Sequence, residues 1–201
     1  MNFFSIDCST DLTSFYIYYK NRIFLNNLQR NQFSNDTLTD DILRFLNNNK
    51  INIKEIDEIF VNQGPGSFSG IRGSIATAKG LCLSQKKKLF GYNNFLLIAA
   101  KFYDYKDFIF SIYKSKKDYF IQKFDHKLNQ KEDPKKILKN KIITKYKNKK
   151  KIIAKNNVNN CDSEILNLPN LHIVDRKHLN LAFLRTKGLL EYKSIKPLYL
   201  Y

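Results

Sequence analysis

The chain has 201 residues, of which 43% are hydrophobic, and it carries a formal net charge of +17. No apolar run approaches the roughly 20 residues that cross a bilayer, and the first residues lack the pattern of a secretory signal. We therefore expect a soluble, cytoplasmic protein with no membrane partner. The three cysteines are far apart and odd in number, and the three histidines are scattered, which argues against a disulfide framework and against a zinc site.

The positive charge is concentrated in the second half of the chain. Residues 1–100 carry 11 Lys and Arg against 8 Asp and Glu, whereas residues 101–201 carry 24 against 10. Such an excess is typical of proteins that bind nucleic acid or another anionic partner. An AT-rich genome would also produce this bias toward Lys, Asn, Ile, Phe and Tyr. In addition, few aromatic residues lie between the lysines of the segment Lys127–Lys155, whereas surfaces that bind nucleic acid often combine the two. Both explanations stay open.

The first 60 residues read as strands followed by a helix and a further strand. Strands are predicted at Phe3–Asp7, Thr13–Tyr19 and Arg22–Leu28, with Lys20-Asn21 as a two-residue hairpin turn. A helix follows, because apolar residues recur there at helical spacing. Its apolar positions are Leu38, Ile42, Phe45 and Leu46. A short strand then covers Ile59–Val61, which together with the earlier elements predicts an α/β layer.

A glycine-rich loop, Gln63–Gly73, separates the strand at Ile59 from a second helix. Gly64-Pro65-Gly66 cannot continue a strand ladder, and Ser67 is expected to cap the helix with its hydroxyl. The apolar residues of the helix recur at helical spacing, which predicts a buried side. They are Phe68, Ile71, Ile75, Cys82 and Leu83. A phosphate site in this loop has weak support, because neither G-x-x-x-x-G-K-[ST] nor G-x-G-x-x-G is present.

The second helix has an unusual stripe of small residues along one side. It is formed by Gly70, Gly73, Ser74, Thr77 and Gly80. Each interior glycine costs roughly 1 kcal/mol relative to alanine, and small side chains allow another backbone to approach closely. The stripe therefore predicts either close packing on the protein's own sheet or a seam with a helix of a partner.

The remaining sequence predicts a second lobe. A short strand at Phe90–Tyr92 and a helix at Asn94–Phe102 complete a first lobe over residues 1–103, and residues 104–201 form the second. The predicted elements of this lobe are strands at Asp107–Tyr113, Tyr119–Phe124 and Lys151–Ala154 and a helix at His178–Leu190. Residues 126–151 are lysine-rich and poorly periodic.

Four segments carry a resemblance to a known family. They are Ile6-Asp7-Cys8-Ser9-Thr10, Gln63–Gly73, Ala78-Lys79-Gly80-Leu81 and Pro197-Leu198-Tyr199. With them the sequence resembles the bacterial TsaB family, whose strongest motif has the form G-P-G-S-F-T-G-[LIV]-R. Residues 64–72 depart from that motif only by Ser69 in place of threonine. The match is good through residue 100 and weak in the second half.

The resemblance implies an actin-like, sugar-kinase-like ATPase fold of the α/β class, with two lobes of which the second is reduced. It also implies that the chain is not an enzyme on its own. TsaB proteins pair with TsaD, which transfers a threonylcarbamoyl group to the tRNA adenosine next to the anticodon. The resemblance also implies TsaE as a partner, a possible homodimer in isolation, and an indirect encounter with tRNA through the complex. No cofactor of its own is implied, and ATP or ADP is expected only at the complex interface.

The pairing surface implied by the resemblance is formed by the first two helices, about Asp36–Asn48 and Ser67–Ser84. The residues expected to bind the partner are Leu38, Ile42, Phe45, Gly70, Gly73, Ser74, Thr77 and Gly80. Asp7, Ser9 and Arg72 are candidates for a nucleotide contact at the shared interface. No catalytic and no metal-binding residues are expected.

Two other functions remain possible from the sequence. The first is a small ATPase or kinase that uses Asp7, Thr10 and the Gly64–Gly66 loop, although Ser9 stands where the phosphate turn D-x-G-[ST] of this fold has glycine. The second is an RNA-binding module whose Lys127–Lys155 segment follows phosphates, with an affinity that falls steeply as salt rises.

Overall fold

The computed structural model describes residues 1–29, 37–178 and 180–200. The chain divides into two compact units, and each has its own five-stranded sheet. The first unit comprises Met1–Asn93 and Leu190–Leu198, and the second is formed mainly by Asn94–Leu189. The predicted α/β class with two lobes is confirmed by these two sheets and the helices between their strands.

The division between the units differs from the expected boundary at residue 103 for two reasons. The helix that begins at Asn94 packs on strands of the second sheet, so residues 94–103 belong to the second unit. The segment 190–198 returns to the first unit, where Glu191 bridges Gly91 and the Leu198 N–H donates to the Gln63 carbonyl at 2.7 Å.

The first unit has three antiparallel strands followed by two parallel ones. Its elements are β1 Phe3–Asp7, β2 Leu12–Tyr19, β3 Arg22–Gln29, α1 Leu38–Asn48, β4 Glu58–Asn62, α2 Phe68–Gln85 and β5 Lys88–Tyr92. The sheet order is β3-β2-β1-β4-β5. Lys20 and Asn21 both have positive φ, 49° and 61°, as a two-residue hairpin turn requires. The hairpin is therefore confirmed.

Helices α1 and α2 pack on one face of the first sheet. Phe4 and Ile6 of β1 point to this face, because side chains alternate along a strand, and they join a core that includes Ile42 of α1 and Ile75 of α2. Residues 3, 5 and 7 point to the opposite face, where the Phe3 ring lies 4.7 Å from the Phe60 ring. Asp7 is thus buried at the end of β1 and not on the side of the helices.

The second unit repeats the topology of the first. Its elements are α3 Asn94–Ala99, β6 Ile109–Lys114, β7 Tyr119–Phe124, β8 Lys135–Ile137, α4 Lys139–Lys145, β9 Lys150–Ala154, α5 Ser163–Leu166, β10 Leu171–Val174 and α6 Asn180–Thr186. The sheet order is β10-β9-β6-β7-β8, so again three antiparallel strands precede two parallel ones. The expected reduction appears as short strands, since β8 has 3 residues and β10 has 4.

Lys151 of β9 is buried in the second unit, and within the described ranges its ammonium group has backbone carbonyls and no carboxylate as partners. Its Nζ donates to four backbone carbonyl oxygens at 2.7–2.9 Å, those of Tyr146, Lys147, Lys149 and Pro169. The side chain is 0% exposed, and burial lowers the pKa of the ammonium to about 8. The carbonyl cage joins the segment after α4 to the segment before β10.

The last predicted helix is shorter in the structure than in the sequence-based prediction. A helix was expected over His178–Leu190, and α6 ends at Thr186. The chain then turns at Gly188, whose φ of 69° is typical of a helix C-terminus. Leu179 lies outside the described residues.

Candidate interaction surface of the first unit

The polar groups of the turn after β1 form hydrogen bonds with other groups of the same chain. Asp7 Oδ1 accepts from the Ser9 backbone N–H at 2.9 Å and from the Ser9 hydroxyl at 2.7 Å. Asp7 Oδ2 accepts from Asn62 Nδ2 at 2.9 Å. Asp7 and Ser9 are 0% and 2% exposed, so neither side chain reaches the surface of the chain. A phosphate-binding turn points its N–H groups at the anion, whereas the Ser9 N–H points at a carboxylate.

The glycine loop is joined directly to this turn. The Ser67 N–H donates to the Ser9 carbonyl at 2.9 Å, and the Gly64 N–H donates to Asn62 Oδ1 at 2.8 Å. A Cβ on Gly66 would collide with the Ser9 carbonyl oxygen, so only glycine permits this approach. The loop therefore occupies the space beside the turn with its own backbone. Ser67 is the N-cap residue of α2, but it makes no capping bond through its side chain.

One side of α2 is buried in the core of the first unit. Gly70 and Ser74 lie on this side with Ile71, Ile75, Ala78 and Cys82, and the Ser74 hydroxyl donates to the Ile71 carbonyl at 3.1 Å. Gly70 and Ser74 were expected at a partner interface; the structure instead places them against the protein's own core. Burial raises the pKa of the Cys82 thiol to about 11, which makes this thiol a packing group and a poor nucleophile.

The opposite side of α2 is exposed and is largely apolar or small. Phe68 is 58% and Leu83 is 82% exposed, although the helical spacing predicted both on the buried side. Between them runs a stripe of small residues with spacings of four, three and four, formed by Ser69, Gly73, Ala76 and Gly80. We call Phe68, Leu83 and this stripe the α2 face. A Cβ on Gly80 would meet no atom within 4 Å.

Two basic residues flank the α2 face, and the other expected residues of this helix lie at its margin. The Arg72 guanidinium carbon lies 5.0 Å from the centre of the Phe68 ring, which is a cation–π contact. Lys79 is exposed, and Gly73 and Thr77 are half-buried. Four residues of the face were not among the expected partner-binding residues: Phe68, Ser69, Ala76 and Leu83.

Helix α1 presents a different surface from the one expected. Leu38, Ile42 and Phe45 are 2%, 0% and 6% exposed and belong to the core of the first unit. The structure thus corrects their expected role, because side chains packed on their own sheet are unavailable to a partner. The exposed apolar residue of this helix is Leu43, at 47%. Asp36, the expected first residue of the helical segment, lies outside the described residues.

A groove of about 360 Å³ lies between β3 and α1. It is lined by Leu25, Asn26, Leu28, Asp41, Arg44, Phe45, Asn48 and Asn49. Arg44 and Asp41 form an ion pair across 3.1 Å within it. Among the described residues, no group of three His, Cys, Asp or Glu side chains is arranged to hold a metal ion. None of the helices in the described part combines the length and apolar character needed to cross a bilayer.

Comparison with known proteins gives one family model and two curated relatives, each of which matches part of the chain. A family model described as TsaD, tRNA N6-adenosine threonylcarbamoyltransferase, matches residues 32–109. A curated relative, tRNA threonylcarbamoyladenosine biosynthesis protein TsaB of Buchnera aphidicola subsp. Schizaphis graminum, is 35% identical over 99 residues, 48% of this chain and 46% of the relative. The TsaB protein of Buchnera aphidicola subsp. Baizongia pistaciae is 36% identical over 81 residues, 39% of this chain and 36% of the relative.

The matched region therefore spans less than half the length of these curated relatives, whereas solved structures match over the whole chain. A Pseudomonas aeruginosa protein described as similar to peptidase YeaZ has a TM-score of 0.74 at 13% identity, over 100% of this chain and 99% of its own. YeaZ from Pseudomonas aeruginosa has a TM-score of 0.71 at 13% identity, over 98% and 100%. Up to about half of the chain is thus homologous to curated TsaB proteins, at 48% and 39% coverage, and the whole chain has the YeaZ fold, which confirms the resemblance to the TsaB family.

Proposed function

We propose that this chain is a non-catalytic subunit that pairs with TsaD through the α2 face, in the complex that places a threonylcarbamoyl group on the tRNA adenosine next to the anticodon. The observation that carries the proposal is an exposed helix side with two large apolar residues and a small-residue stripe, in the segment that the TsaD family model matches. The biosynthetic role follows the names of the relatives.

The chemistry of the α2 face supports docking of a helix. Phe68 and Leu83 each gain roughly 1.5–3 kcal/mol when they are transferred from water into an apolar contact. The small residues between them leave room for a second backbone to approach. The two charged residues that flank the face, Arg72 and Lys79, are both basic. A partner helix with apolar residues at its centre and acidic residues at its edges would complement this surface.

The non-catalytic part of the proposal is supported by the bonding of the turn after β1. The Ser9 N–H is engaged by Asp7, and Gly66 fills the adjoining space. Thr10 Oγ1 donates to the Leu12 carbonyl at 3.0 Å, within the same turn. The proposal includes ATP or ADP only at the interface of the complex, and TsaE as a further partner, as the resemblance to the TsaB family implies. Arg72 is the exposed member of the three candidate nucleotide contacts, because Asp7 and Ser9 are buried.

The test is light scattering coupled to size-exclusion chromatography on this chain alone and mixed with the TsaD of the same genome. We expect a one-to-one complex in the mixture and a homodimer through the same face in isolation. Ala76→Trp places a large ring in the middle of the exposed stripe and should reduce the affinity for TsaD at least tenfold. Lys117→Trp, in the exposed turn between β6 and β7, is the matched control and should pair normally.

Two results would contradict the proposal. One is separate elution of the two proteins, with and without nucleotide. The other is an Ala76→Trp variant that pairs as tightly as the wild type. A calorimetric titration of the lone chain with ATP and magnesium is expected to be flat; micromolar binding would favour the ATPase alternative that uses Asp7, Thr10 and the Gly64–Gly66 loop.

A further inference from the structure

Lysine side chains lie over aromatic rings at one edge of the second unit. Lys150 Nζ is 5.0 Å from the centre of the Phe102 ring and 4.9 Å from that of Tyr105. Lys127 and Lys187 approach the Tyr103 ring from 5.2 and 5.0 Å. We call these six residues the lysine–aromatic surface. The sequence alone does not reveal this surface, because its rings come from residues 102–105 whereas its lysines come from three distant segments of the chain.

The surface lies where β6, β9 and β10 begin. Lys150 is the first residue of β9 and pairs with Ile109, the first residue of β6. His172, the second residue of β10, has its ring 5.7 Å from that of Phe102. Because bound ligands in parallel sheets lie at the carboxyl ends of the strands, this edge is separate from the place where a nucleotide site of such a fold would form.

The positive charge of this edge is only partly compensated. Lys127 pairs with Asp104, whereas Lys150 and Lys187 have no carboxylate within ion-pair distance in the described part of the chain. Lys101, next to Phe102 in sequence, is exposed and likewise has no ion pair there. The pKa of His172 is lowered by its burial and by the nearby charges of Lys150, Lys101 and Lys151, which reflects a positive local field.

The lysines without a carboxylate partner and the half-buried rings beside them indicate which chemical class of partner this surface would bind. Proteins that bind single-stranded nucleic acid join a basic groove, which follows the phosphates, to aromatic side chains on which bases stack. The rings Phe102, Tyr103 and Tyr105 are half-buried, so each is held in place by the fold while part of it stays accessible. An acidic peptide would use the lysines and leave the rings without a role.

We propose that the lysine–aromatic surface binds RNA with unpaired bases, and that it gives this subunit a direct contact with the tRNA on which the complex acts. The proposal rests on the proposed function for the identity of the RNA, and on the charge and rings of the second unit for the binding itself. Phosphates would replace the ring contacts of Lys150 and Lys187, and the uncovered rings would stack on bases.

The first experiment measures the binding of fluorescently labelled tRNA to the full chain by anisotropy over a range of salt. The triple variant K101Q/K150Q/K187Q should bind at least about tenfold more weakly, and its slope of log K against log salt should fall by about 2, because each phosphate contact on a single strand contributes about 0.7. The control K116Q/K117Q/K141Q removes the same charge from exposed lysines away from this edge and should change little. Equal loss in the two variants would overturn the proposal.

The second experiment tests the rings. Tyr105→Ala should weaken binding of a hairpin RNA with an unpaired loop about 5-fold to 100-fold, as expected for one lost stacking contact. Binding of a blunt duplex of equal length should change little, since its bases are already stacked. Circular dichroism establishes that the variant is folded. An equal effect on hairpin and duplex would overturn the stacking role, and preference for anionic vesicles over both RNAs would overturn the choice of partner.

A final comparison separates this inference from the proposed function. K101Q/K150Q/K187Q should form the complex with TsaD as the wild type does, because its substitutions lie in the second unit and the α2 face lies in the first. Loss of tRNA binding with intact pairing supports the inference. Intact pairing with unchanged tRNA affinity overturns the inference alone, whereas failure of the wild-type chain to pair overturns the proposed function.

Discussion

Gly66 and Gly80 of the first unit differ in the space available for a side chain, so we expect their substitution by alanine to have opposite effects on stability. Gly66→Ala should lower the free energy of unfolding by more than about 2 kcal/mol, because the new Cβ meets the Ser9 backbone and one of the two loops must move. In the monomer, at protein concentrations too low for the homodimer to form, Gly80→Ala should raise it by up to about 1 kcal/mol, because alanine is the better helix former and a Cβ there meets no atom of the same chain within 4 Å. Urea denaturation monitored by circular dichroism measures both changes.

The two substitutions add the same methyl group, so each controls for the other. A Gly66→Ala variant as stable as the wild type would mean that the loop and the turn are not in contact. A Gly80→Ala variant less stable than the wild type would mean that the α2 face is packed against something in the isolated chain. Such packing would be expected if the face is covered in a homodimer, and dilution would then remove it.

The turn that follows β7 carries a carboxylate whose charge supports the local fold. Asp125 Oδ1 accepts from the backbone N–H groups of Lys127 and Asn129, both at 2.9 Å, and Lys131 Nζ lies 2.9 Å from Oδ2. Burial raises the pKa of the Asp125 carboxyl, but the Lys131 ammonium and these N–H groups lower it more, to about 2. The ionised carboxylate thus organises the turn of residues 125–129.

Because the pKa of Asp125 is lower in the folded than in the unfolded state, its contribution to stability is present above about pH 4 and is lost as the pH falls toward 2. The wild type should therefore be more stable than Asp125→Asn at pH 6, and the difference should shrink as the pH approaches 2. Thermal unfolding of both proteins across this range checks the prediction. A difference that does not depend on pH would show that the ionised state of the carboxylate makes no contribution.

At the scale of helices and strands, sequence patterns predicted most elements of the first unit and misjudged which helix side is exposed. The alternation of Phe15, Ile17 and Tyr19 in β2 and the helical spacing of the apolar residues in α1 are clear patterns, because these side chains all join one core. Helix α2 has small or apolar residues on nearly every side, so its period cannot distinguish the core side, with Ile71 and Ile75, from the exposed side, with Phe68 and Leu83. The packing of α2 on the sheet determines which of its sides is buried.

Four elements of the second unit were not predicted, namely β8, α4, α5 and β10; of these, α5 buries only Ile165. The first is Lys135–Ile137, where two of three side chains are exposed and only Ile137 is buried. Helix α4 buries only Ile142, and β10 buries only Val174. Elements this short bury too little apolar surface to leave a period in the sequence, and their position is fixed by pairing and packing with residues far along the chain.

At the scale of the whole molecule, the two units share one topology, but the elements of the first unit are easier to predict from the sequence than those of the second. The first unit has residue choices fixed by close backbone contacts, such as Gly66 against Ser9, and it contains most of residues 32–109, which the TsaD family model matches. The second unit is held by ordinary strand pairing and an apolar core, which many sequences satisfy. A fold can therefore persist there after the sequence pattern has been lost.

The carbonyl cage around Lys151 makes this residue a chemical reporter of opening in the second unit. Amine-reactive reagents modify exposed lysines such as Lys147 and Lys149 in the folded protein, whereas the ammonium of Lys151, 0% exposed, is shielded until β9 and the segment after α4 separate. Reductive methylation followed by peptide mass spectrometry should therefore label Lys151 at the rate of local unfolding. If Lys151 is labelled as fast as Lys149, the cage is open in solution. If Lys151 is labelled slowly, its labelling rate measures how often this part of the second unit opens.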